Sequence, residues 1–338
     1  MDLDQLKATF PDEIACRNFF EAIIWRNGRR CPHCDCETSY FLSGPSSRPG
    51  LYECGRCKRQ FTVTTRTPMH STKLPLWKWL LCMYFMVNSS KGVSSVFMGK
   101  WLGVAQRTAW KMAHAVRELM KPGPDGRPPL DGIVELDEKY FGGKPRYKKG
   151  VTHKRGKGTD KQAIFVAVQR QGPVRSALIS SDKVAELKPW VQQFVNKKAH
   201  LMTDENWAYQ QIGKDYAAHS WVNHSAKEFA RGDVHNNTAE SFNSLLERAK
   251  QGIFHYMSQK HLPRYLNEIG FRWIHRVPKK IVTKHRRRKT VMVALPVIDM
   301  LCSLLTHAVG RQLRRTMDGG VRVPIANFAG ALQPFFRS

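Results

Sequence analysis

The hydrophobic positions of the chain follow a helical period in its first third and alternate further on. Apolar side chains recurring every three to four residues predict helices over 11–25, 76–87, 94–101 and 105–120. Short alternating runs between the first two helices predict three strands around a turn at 45–50, which is rich in Pro, Ser and Gly. The first third therefore predicts helices with a small β module inserted among them.

Residues 121–129 carry four prolines and two glycines, a composition typical of a linker. Beyond it, alternation predicts strands over 132–141, 163–169, 174–180 and 200–203, with a candidate fifth over 219–222. The helical period returns over 183–197, 237–250 and 260–275. This mixture predicts an α/β domain with a mixed sheet.

Two Cys-x-x-Cys pairs with nineteen residues between them mark the small β module. The four cysteines are Cys31, Cys34, Cys54 and Cys57. Each pair offers two thiolates from one tight turn, so the spacing predicts one structural Zn²⁺ in a zinc ribbon, with a redox pair or disulfides as the weaker alternative. Gly55 is expected to relax the second turn, and Cys36 is close enough to replace Cys34.

Fifty-five Lys and Arg against 27 Asp and Glu give a net charge of +28 and a pI near 10.1. The excess is spread over the whole length, which favours a long path for nucleic acid over a single basic anchor. An anionic membrane surface is the weaker alternative, because no basic amphipathic helix dominates and no apolar run reaches the ~20 residues of a membrane span. The acidic first residues do not resemble a signal peptide, so we expect a cytoplasmic protein.

The predicted helices over 94–101 and 105–120 are separated by Gly103, where a helix-turn-helix needs a sharp turn. Basic side chains recur on one face of the second of them: Arg107, Lys111, His114 and Arg117. Such a face suits a DNA-recognition helix. An ordinary helical bundle with a solvated basic face is the alternative reading.

Three carboxylates of the α/β domain occupy positions that can converge. Asp137 lies in the middle of the first strand, where alternation places it on one face with Glu135. Asp204 ends the fourth strand, and Glu240 lies in the first turn of the helix predicted over 237–250. Oxygen ligands from two strands and one helix are suited to a pair of Mg²⁺ or Mn²⁺ ions for phosphodiester chemistry.

Several segments in collinear order resemble one family. They are the cysteine pairs, Glu-Leu-Asp-Glu-Lys-Tyr-Phe-Gly-Gly-Lys over 135–144, Thr-Asp-Glu over 203–205, His-Asn-Asn-Thr-Ala-Glu-Ser-Phe over 235–242, and the region 255–276. Together they resemble bacterial insertion-sequence DDE transposases with an N-terminal zinc ribbon and a ribonuclease H-like catalytic domain. The resemblance covers about 10–276, and 277–338 has no recognised counterpart.

The resemblance implies that Asp137, Asp204 and Glu240 form a catalytic triad that binds two Mg²⁺ or Mn²⁺ ions. Some relatives use an asparagine as the third ligand, and Asn237 occupies the matching place one turn earlier. Glu240 is preferred, because an anionic oxygen binds magnesium more strongly than an amide does. The family often carries a lysine seven residues later, where this chain has Glu247.

The implied partner is double-stranded DNA, both the terminal inverted repeats of the element and the target. Two DNA ends must be held together, so we expect a homo-oligomer, at least a dimer, associated with the bacterial nucleoid. Candidate DNA contacts are Arg107, Lys111, Arg117, Lys139, Lys144, Arg248, Lys250, Arg286, Arg287 and Arg288. The last three lie in a basic run that is alternatively a solvated linker.

The predicted order is an N-terminal helix (1–28), zinc ribbon (29–70), helix-turn-helix-like region (71–121), linker (122–131), catalytic domain (132–276) and basic helical C-terminal extension (277–338). The predicted function is metal-dependent cleavage of DNA followed by joining of 3′ hydroxyl ends to target DNA. Two alternatives stay open, since position 247 departs from the family pattern. One is a regulator that binds DNA without chemistry, and the other is a plain metal-dependent nuclease.

Overall fold

The computed structural model describes residues 1–123, 128–142, 150, 161–282 and 288–313, and the backbone of two strands beyond them. The described residues form two compact units. The first unit combines parts of Met1–Ser89, Ser95–Gly126 and Pro296–Ser338. The second combines Ser90–Ser94 with parts of Arg127–Leu295.

The short helices over Leu3–Thr9 and Trp207–Ile212 were not predicted, whereas most helices of the described residues follow the predicted periods with small shifts at their ends. The helices are α1 (Leu3–Thr9), α2 (Glu13–Ile24), α3 (Leu76–Asn88), α4 (Ser95–Leu102), α5 (Gln106–Leu119), α6 (Val184–Phe194), α7 (Trp207–Ile212), α8 (Asn237–Ala249), α9 (Leu262–Ile274) and α10 (Val297–Thr306). Gly103 joins α4 to α5 with φ of 59°, a left-handed conformation that glycine adopts at little cost.

The strands form one large sheet and several small ones. They are β1 (Ser39–Phe41), β2 (Tyr52–Cys54), β3 (Gln60–Phe61), β4 (Ile133–Phe141), β5 (Gln162–Gln169), β6 (Val174–Ile179), β7 (His200–Thr203), β8 (Ala218–Trp221), β9 (Ala230–Arg231), β10 (Val234–His235), β11 (Arg276–Val282), β12 (Arg288–Ala294), β13 (Arg315–Asp318) and β14 (Val321–Pro324). The ribbon has the order β1-β2-β3, and β9-β10, β11-β12 and β13-β14 are antiparallel hairpins.

Helix α10 belongs to the core of the first unit, where it packs against α2, α3 and α5. Its apolar face is buried, including Leu301, Leu304 and Leu305. The C-terminal extension was predicted to be helical, but the residues just before α10 form a strand. Pro296 caps the helix because its fixed φ begins a helix readily, and the β-branched run before it pairs as β12 instead.

The second unit is built on a five-stranded sheet of order β6-β5-β4-β7-β8. The pairs β4–β5 and β5–β6 are antiparallel, whereas β4–β7 and β7–β8 are parallel. Numbered within the unit, this is the order 3-2-1-4-5 of a ribonuclease H-like sheet. The predicted mixed sheet, zinc ribbon and helical region are thus confirmed.

Strand alternation gives the sheet two different faces. Val134, Leu136 and Phe165 lie on one face with α6 and α7. Phe141, Val166 and the other members of a second cluster lie on the opposite face with α8 and α9. Glu135 and Asp137 share this second face, as their alternation predicted, and both contact α8.

Within the part of the chain that the structure describes, we find no helix with the length and apolarity required to traverse a lipid bilayer.

Leu304→Ala should destabilise the first unit by about 2–5 kcal/mol, because it leaves a cavity where the Leu304 side chain is fully buried. Urea-induced unfolding measures the change. Val309→Ala, at a side chain that is 43% exposed, is the matched control and should cost little. Equal stability of the Leu304 variant and the parent would show that α10 is dispensable to the core.

Candidate metal centres

The four predicted zinc ligands form one cluster. The sulfur atoms of Cys31, Cys34, Cys54 and Cys57 all lie within 4.8 Å of one another. The Cys31–Cys57 pair is 3.7 Å apart and the Cys34–Cys54 pair 3.5 Å apart. Cys36 lies outside the cluster, with its sulfur 3.8 Å from the carbonyl oxygen of Thr38. Four converging thiols fit a tetrahedral zinc ion, whose preference is for sulfur ligands.

The two halves of the cysteine cluster are built alike. The N–H of Asp35 donates to the carbonyl of Cys31 at 2.9 Å, and the N–H of Lys58 donates to that of Cys54 at 3.0 Å. Asp35 and Lys58 each follow a pair and have positive φ, 61° and 55°. Both halves are therefore the same tight turn, which directs two thiols to one point.

The expectation that Gly55 relaxes the second turn is wrong, because Lys58 carries the positive φ instead. A Cβ built on Gly55 would lie 3.0 Å from Thr38 Cγ2. Glycine is needed there for a close approach between neighbouring segments of the ribbon. The Trp25 ring packs edge-on against Tyr52 and Phe61, which gives this small module an aromatic core.

The parallel pairing of β4 with β7 relates the positions of two of the three predicted carboxylates. The register pairs Val134 with Leu201 and Glu135 with Met202. If this register continued for two more residues, it would set Asp204 beside Asp137 on the same face, at the ~5 Å spacing of neighbouring strands. Asp204 follows the last residue of β7, so the carboxylate stands at the end of the strand.

The third carboxylate comes from α8, which covers this face. Glu240 lies in the first turn of α8 and is exposed, as is Asn237 at the first helical position. One turn after Glu240, Asn243 is buried, and its Nδ2 donates to Asp137 Oδ2 at 2.7 Å. The helix thus contacts Asp137 directly, through a residue that the sequence analysis did not select.

The electrostatics of Asp137 also indicate that the three carboxylates are close. The pKa of Asp137 is raised to about 6, chiefly by burial and also by the charges of Asp204 and Glu240, while hydrogen bonds from Asn243 and from the backbone N–H of Glu138 oppose the shift. Among groups of three or more His, Cys, Asp or Glu in the described residues, only the four cysteines have ligand atoms all within 4.8 Å of one another. The three carboxylates are therefore neighbours without forming an equally tight cluster.

The residues around Asp137 fit a divalent cation. Carboxylates that repel one another are stabilised by a cation between them, and Mg²⁺ prefers oxygen ligands. Asn243 Oδ1 is buried and has no hydrogen-bond partner among the described residues. An amide oxygen without a partner is a further candidate ligand, so the site has both the charge and the atoms that a hard cation requires.

Glu135 has no exposed surface, and it is surrounded by hydrogen-bond donors. Its Oε1 lies 2.6 Å from Arg170 Nε and 2.9 Å from Thr238 Oγ1. Its Oε2 accepts from the backbone N–H groups of Thr238, at 2.6 Å, and Ala239, at 3.0 Å. This buried ion pair connects β4, the turn after β5 and the first turn of α8.

The predicted DNA-contacting residues differ in exposure. Arg107 and Lys111 are exposed, whereas Arg117 and His114 are each 2% exposed. The predicted basic face of α5 is therefore reduced to its first half, because Arg117 and His114 face the core of the first unit. Arg248 and Arg288 are exposed and Lys139 is half-buried; Lys144, Arg286 and Arg287 lie outside the described residues.

Lys250 is largely engaged within the protein. Its Nζ donates to the carbonyl of Gly142 at 2.7 Å and lies 4.9 Å from the centre of the Phe141 ring. It also lies 3.5 Å from a carboxylate oxygen of Glu247. Lys250 therefore connects the end of α8 to the end of β4. Position 247 is Glu where the family often has a lysine, and of the two basic side chains nearby, Arg248 is more exposed than Lys250.

One signal in the sequence bears on the missed residues. Glu135 shares a strand face with Asp137, so a second carboxylate facing a helix had to be paired with donors. Nothing local to Arg170 or Asn243 indicates that the first donates to Glu135 and the second to Asp137, since one follows β5 and the other lies on α8.

Cys54→Ser should lose most of its zinc, because a site built from four thiolates loses affinity sharply with three. Zinc content after dialysis, measured by inductively coupled plasma mass spectrometry, tests this. Cys36→Ser is the matched control and should retain a single zinc ion per chain. A Cys54 variant with full zinc content would show that this cysteine is not a ligand.

Comparisons with known proteins identify the two parts of the chain separately. Residues 129–273 match the ISXO2-like transposase domain, and residues 11–60 match the transposase zinc-ribbon domain. A protein described as an uncharacterized protein in transposable element ISH50 of Halobacterium salinarum is 29% identical over 255 residues, covering 71% of this chain and 84% of the relative.

Two solved structures are also similar. A pre-cleavage Mos1 transpososome is 14% identical, covers 57% of this chain and 73% of the solved chain, and has a TM-score of 0.23. A Mos1 strand transfer complex is 12% identical, covers 58% and 76%, and has the same TM-score. The two matched domains together span more than half of the chain. The chain therefore belongs to the insertion-sequence transposases that carry an N-terminal zinc ribbon.

Proposed function

We propose that this protein binds the terminal inverted repeats of an insertion sequence, cleaves DNA there and joins the freed 3′ hydroxyl ends to target DNA. The observation that carries the proposal is the β4–β7 register, because its continuation by two residues would set Asp204 beside Asp137 on the face of the sheet that α8 contacts. The transposase family of the chain and its net charge of +28 also support it.

Asp137, Asp204 and Glu240 would hold two Mg²⁺ or Mn²⁺ ions. When bound, such ions supply the charge that activates water and stabilises the leaving oxygen of a phosphodiester. Asn243 keeps the Asp137 carboxylate in one orientation through its hydrogen bond. The contribution of the protein is then mainly the positioning of charged groups before the reaction.

Glu240 is the proposed third ligand, with Asn237 as the alternative. The charge of Glu240 raises the pKa of Asp137, so the two carboxylates lie within electrostatic reach of each other. Asn237 carries no charge, and its backbone N–H donates to His235 Nδ1 at 3.4 Å. An anionic oxygen is also the stronger magnesium ligand.

The hairpin of β11 and β12 is the proposed DNA-contacting arm of the second unit. Residues 276–294 contain eight Lys or Arg and no Asp or Glu. Lys279, Lys280 and Arg288 are exposed on its paired strands. A two-stranded ribbon of this charge is complementary to duplex DNA, which it can contact along the phosphates or in a groove. Arg107 and Lys111 are the proposed contacts on α5.

Asp204→Asn should abolish product formation and leave DNA retention intact, because it removes a ligand charge without removing the basic surface. The assay is a supercoiled plasmid carrying the element's terminal repeats, incubated with Mg²⁺ or Mn²⁺. Asp215→Asn is the matched control, since Asp215 is surface-exposed and pairs with Lys188.

Each outcome of the plasmid assay selects one function. Cleaved and joined products from the parent protein support a transposase. Cleavage without joining indicates a plain nuclease, and binding alone indicates a non-catalytic regulator. Unchanged product from Asp204→Asn would remove Asp204 from the mechanism.

Glu240→Gln and Asn237→Ala separate the two candidate third ligands. If Glu240 binds metal, its variant should lower cleavage by at least about 100-fold, whereas Asn237→Ala should retain most activity. Single-turnover cleavage over a range of Mn²⁺ concentrations measures both. The reverse ranking would assign the ligand to Asn237.

Neutralising Lys279, Lys280 and Arg288 to Gln should weaken binding to duplex DNA. The slope of log affinity against log salt should fall by about 0.9 for each phosphate that the arm no longer neutralises. Fluorescence anisotropy at several salt concentrations measures both quantities. Neutralising the exposed Lys183, Lys197 and Lys198 is the charge-matched control, and equal weakening in the two triple variants would exclude a specific arm.

A further inference from the structure

We propose that Glu135 is a positioning residue, which fixes the first turn of α8 so that Glu240 and Asn243 are presented to Asp137. This inference rests on the proposed function, because it concerns the same carboxylate site. It assigns no metal contact to Glu135. The inference depends on the position of a buried charge between a strand and a helix terminus.

The first turn of α8 is not capped by its own N-cap residue. Asn236 precedes the helix, but its side chain makes no capping hydrogen bond. The first N–H groups of a helix have no partners within the helix and require an acceptor. Glu135 supplies it from the neighbouring strand, through the N–H groups of Thr238 and Ala239 and the hydroxyl of Thr238. Its negative charge also suits the positive end of the helix dipole.

Arg170 stabilises the ionised form of Glu135. Its Nε donates to Glu135 Oε1 at 2.6 Å, and its Nη2 donates to the carbonyl of His235 at 3.0 Å. A fully buried carboxylate is costly unless it is paired and hydrogen-bonded, and here both conditions are met. Because both oxygens already accept from protein donors, Glu135 is an anchor for the helix rather than a ligand.

Three successive residues of β4 contact α8 or the residue that precedes it. Glu135 binds the first turn, the carbonyl of Leu136 accepts from Asn236 Nδ2 at 3.0 Å, and Asp137 accepts from Asn243. Glu240 lies between these attachment points along the helix. The contacts restrict both sliding and rotation of α8 over the sheet. Displacement of a catalytic group by about 1 Å can cost 100-fold in rate, so such restraint bears directly on the site.

Glu135→Gln tests the role because it keeps the shape of the side chain while removing the charge. One of the two carboxylate oxygens becomes an NH₂ group that faces hydrogen-bond donors, so the first turn of α8 loses an acceptor. We expect the Mn²⁺ concentration for half-maximal cleavage to rise about 10–100-fold, the range seen when residues that orient metal ligands are changed. DNA affinity should stay unchanged.

A second readout does not depend on activity. Amide hydrogen exchange of residues 238–243 should accelerate at least about 10-fold in Glu135→Gln, while exchange in α9 stays at the parent rate. Thr238→Val is a milder variant, which removes only the hydroxyl donor and should shift both readouts less, in the same direction. Glu186→Gln is the matched control, because Glu186 accepts from the N–H of Ser180 and lies in α6, which covers the opposite face of the sheet.

The two readouts separate failure of this inference from failure of the proposed function. If the parent protein neither cleaves DNA nor responds to Mn²⁺, the proposed function fails, and hydrogen exchange still decides whether Glu135 anchors α8. If the parent is active but Glu135→Gln changes neither the Mn²⁺ dependence nor the exchange of α8, the positioning role is overturned. A Glu186→Gln variant with the same Mn²⁺ shift would also overturn it, since the effect would then be general destabilisation.

Discussion

The parallel pairing of β4 with β7 is the constraint on which the second unit depends. It joins an antiparallel meander to a strand that arrives after a helical crossover. Because β4 runs parallel to β7 and continues past its end, the polar residues after β7 would follow beside the middle of β4. A shift of one residue in this register would move Asp204 to the opposite face of the sheet from Asp137.

That arrangement places two acidic side chains of one strand against a packed helix. Each of the two carboxylates has a different set of hydrogen-bond donors, which lowers the cost of burying them together. Glu135 is neutralised by Arg170 and by the terminus of α8, whereas Asp137 accepts, among the described residues, only from Asn243 Nδ2 and the backbone N–H of Glu138, and it keeps a raised pKa. Glu135 therefore stabilises the fold. The charged form of Asp137 stays unfavourable, and a bound cation would stabilise it.

The sequence predicted the zinc ligands completely, because the information lies in local spacing: each pair is one turn, and two equivalent turns supply four sulfurs. It also predicted the face shared by Glu135 and Asp137, which alternation alone determines. It did not predict Arg170 or Asn243, since their partners are 35 and 106 residues away in the chain and the contact exists only after the sheet and α8 assemble. The burial of Arg117 is of the same kind, because a helical period places it on a face without stating what covers that face.

Helix α10 has a consequence for the order in which the protein can fold. Its apolar side chains complete a core that otherwise comes from the first 120 or so residues, so this unit is discontinuous in sequence. During synthesis, the N-terminal helices must wait for the entire mixed sheet to be translated before their last packing partner emerges. Until then an apolar groove on them stays open to water, which makes the nascent chain dependent on its own C-terminal region for a finished N-terminal fold.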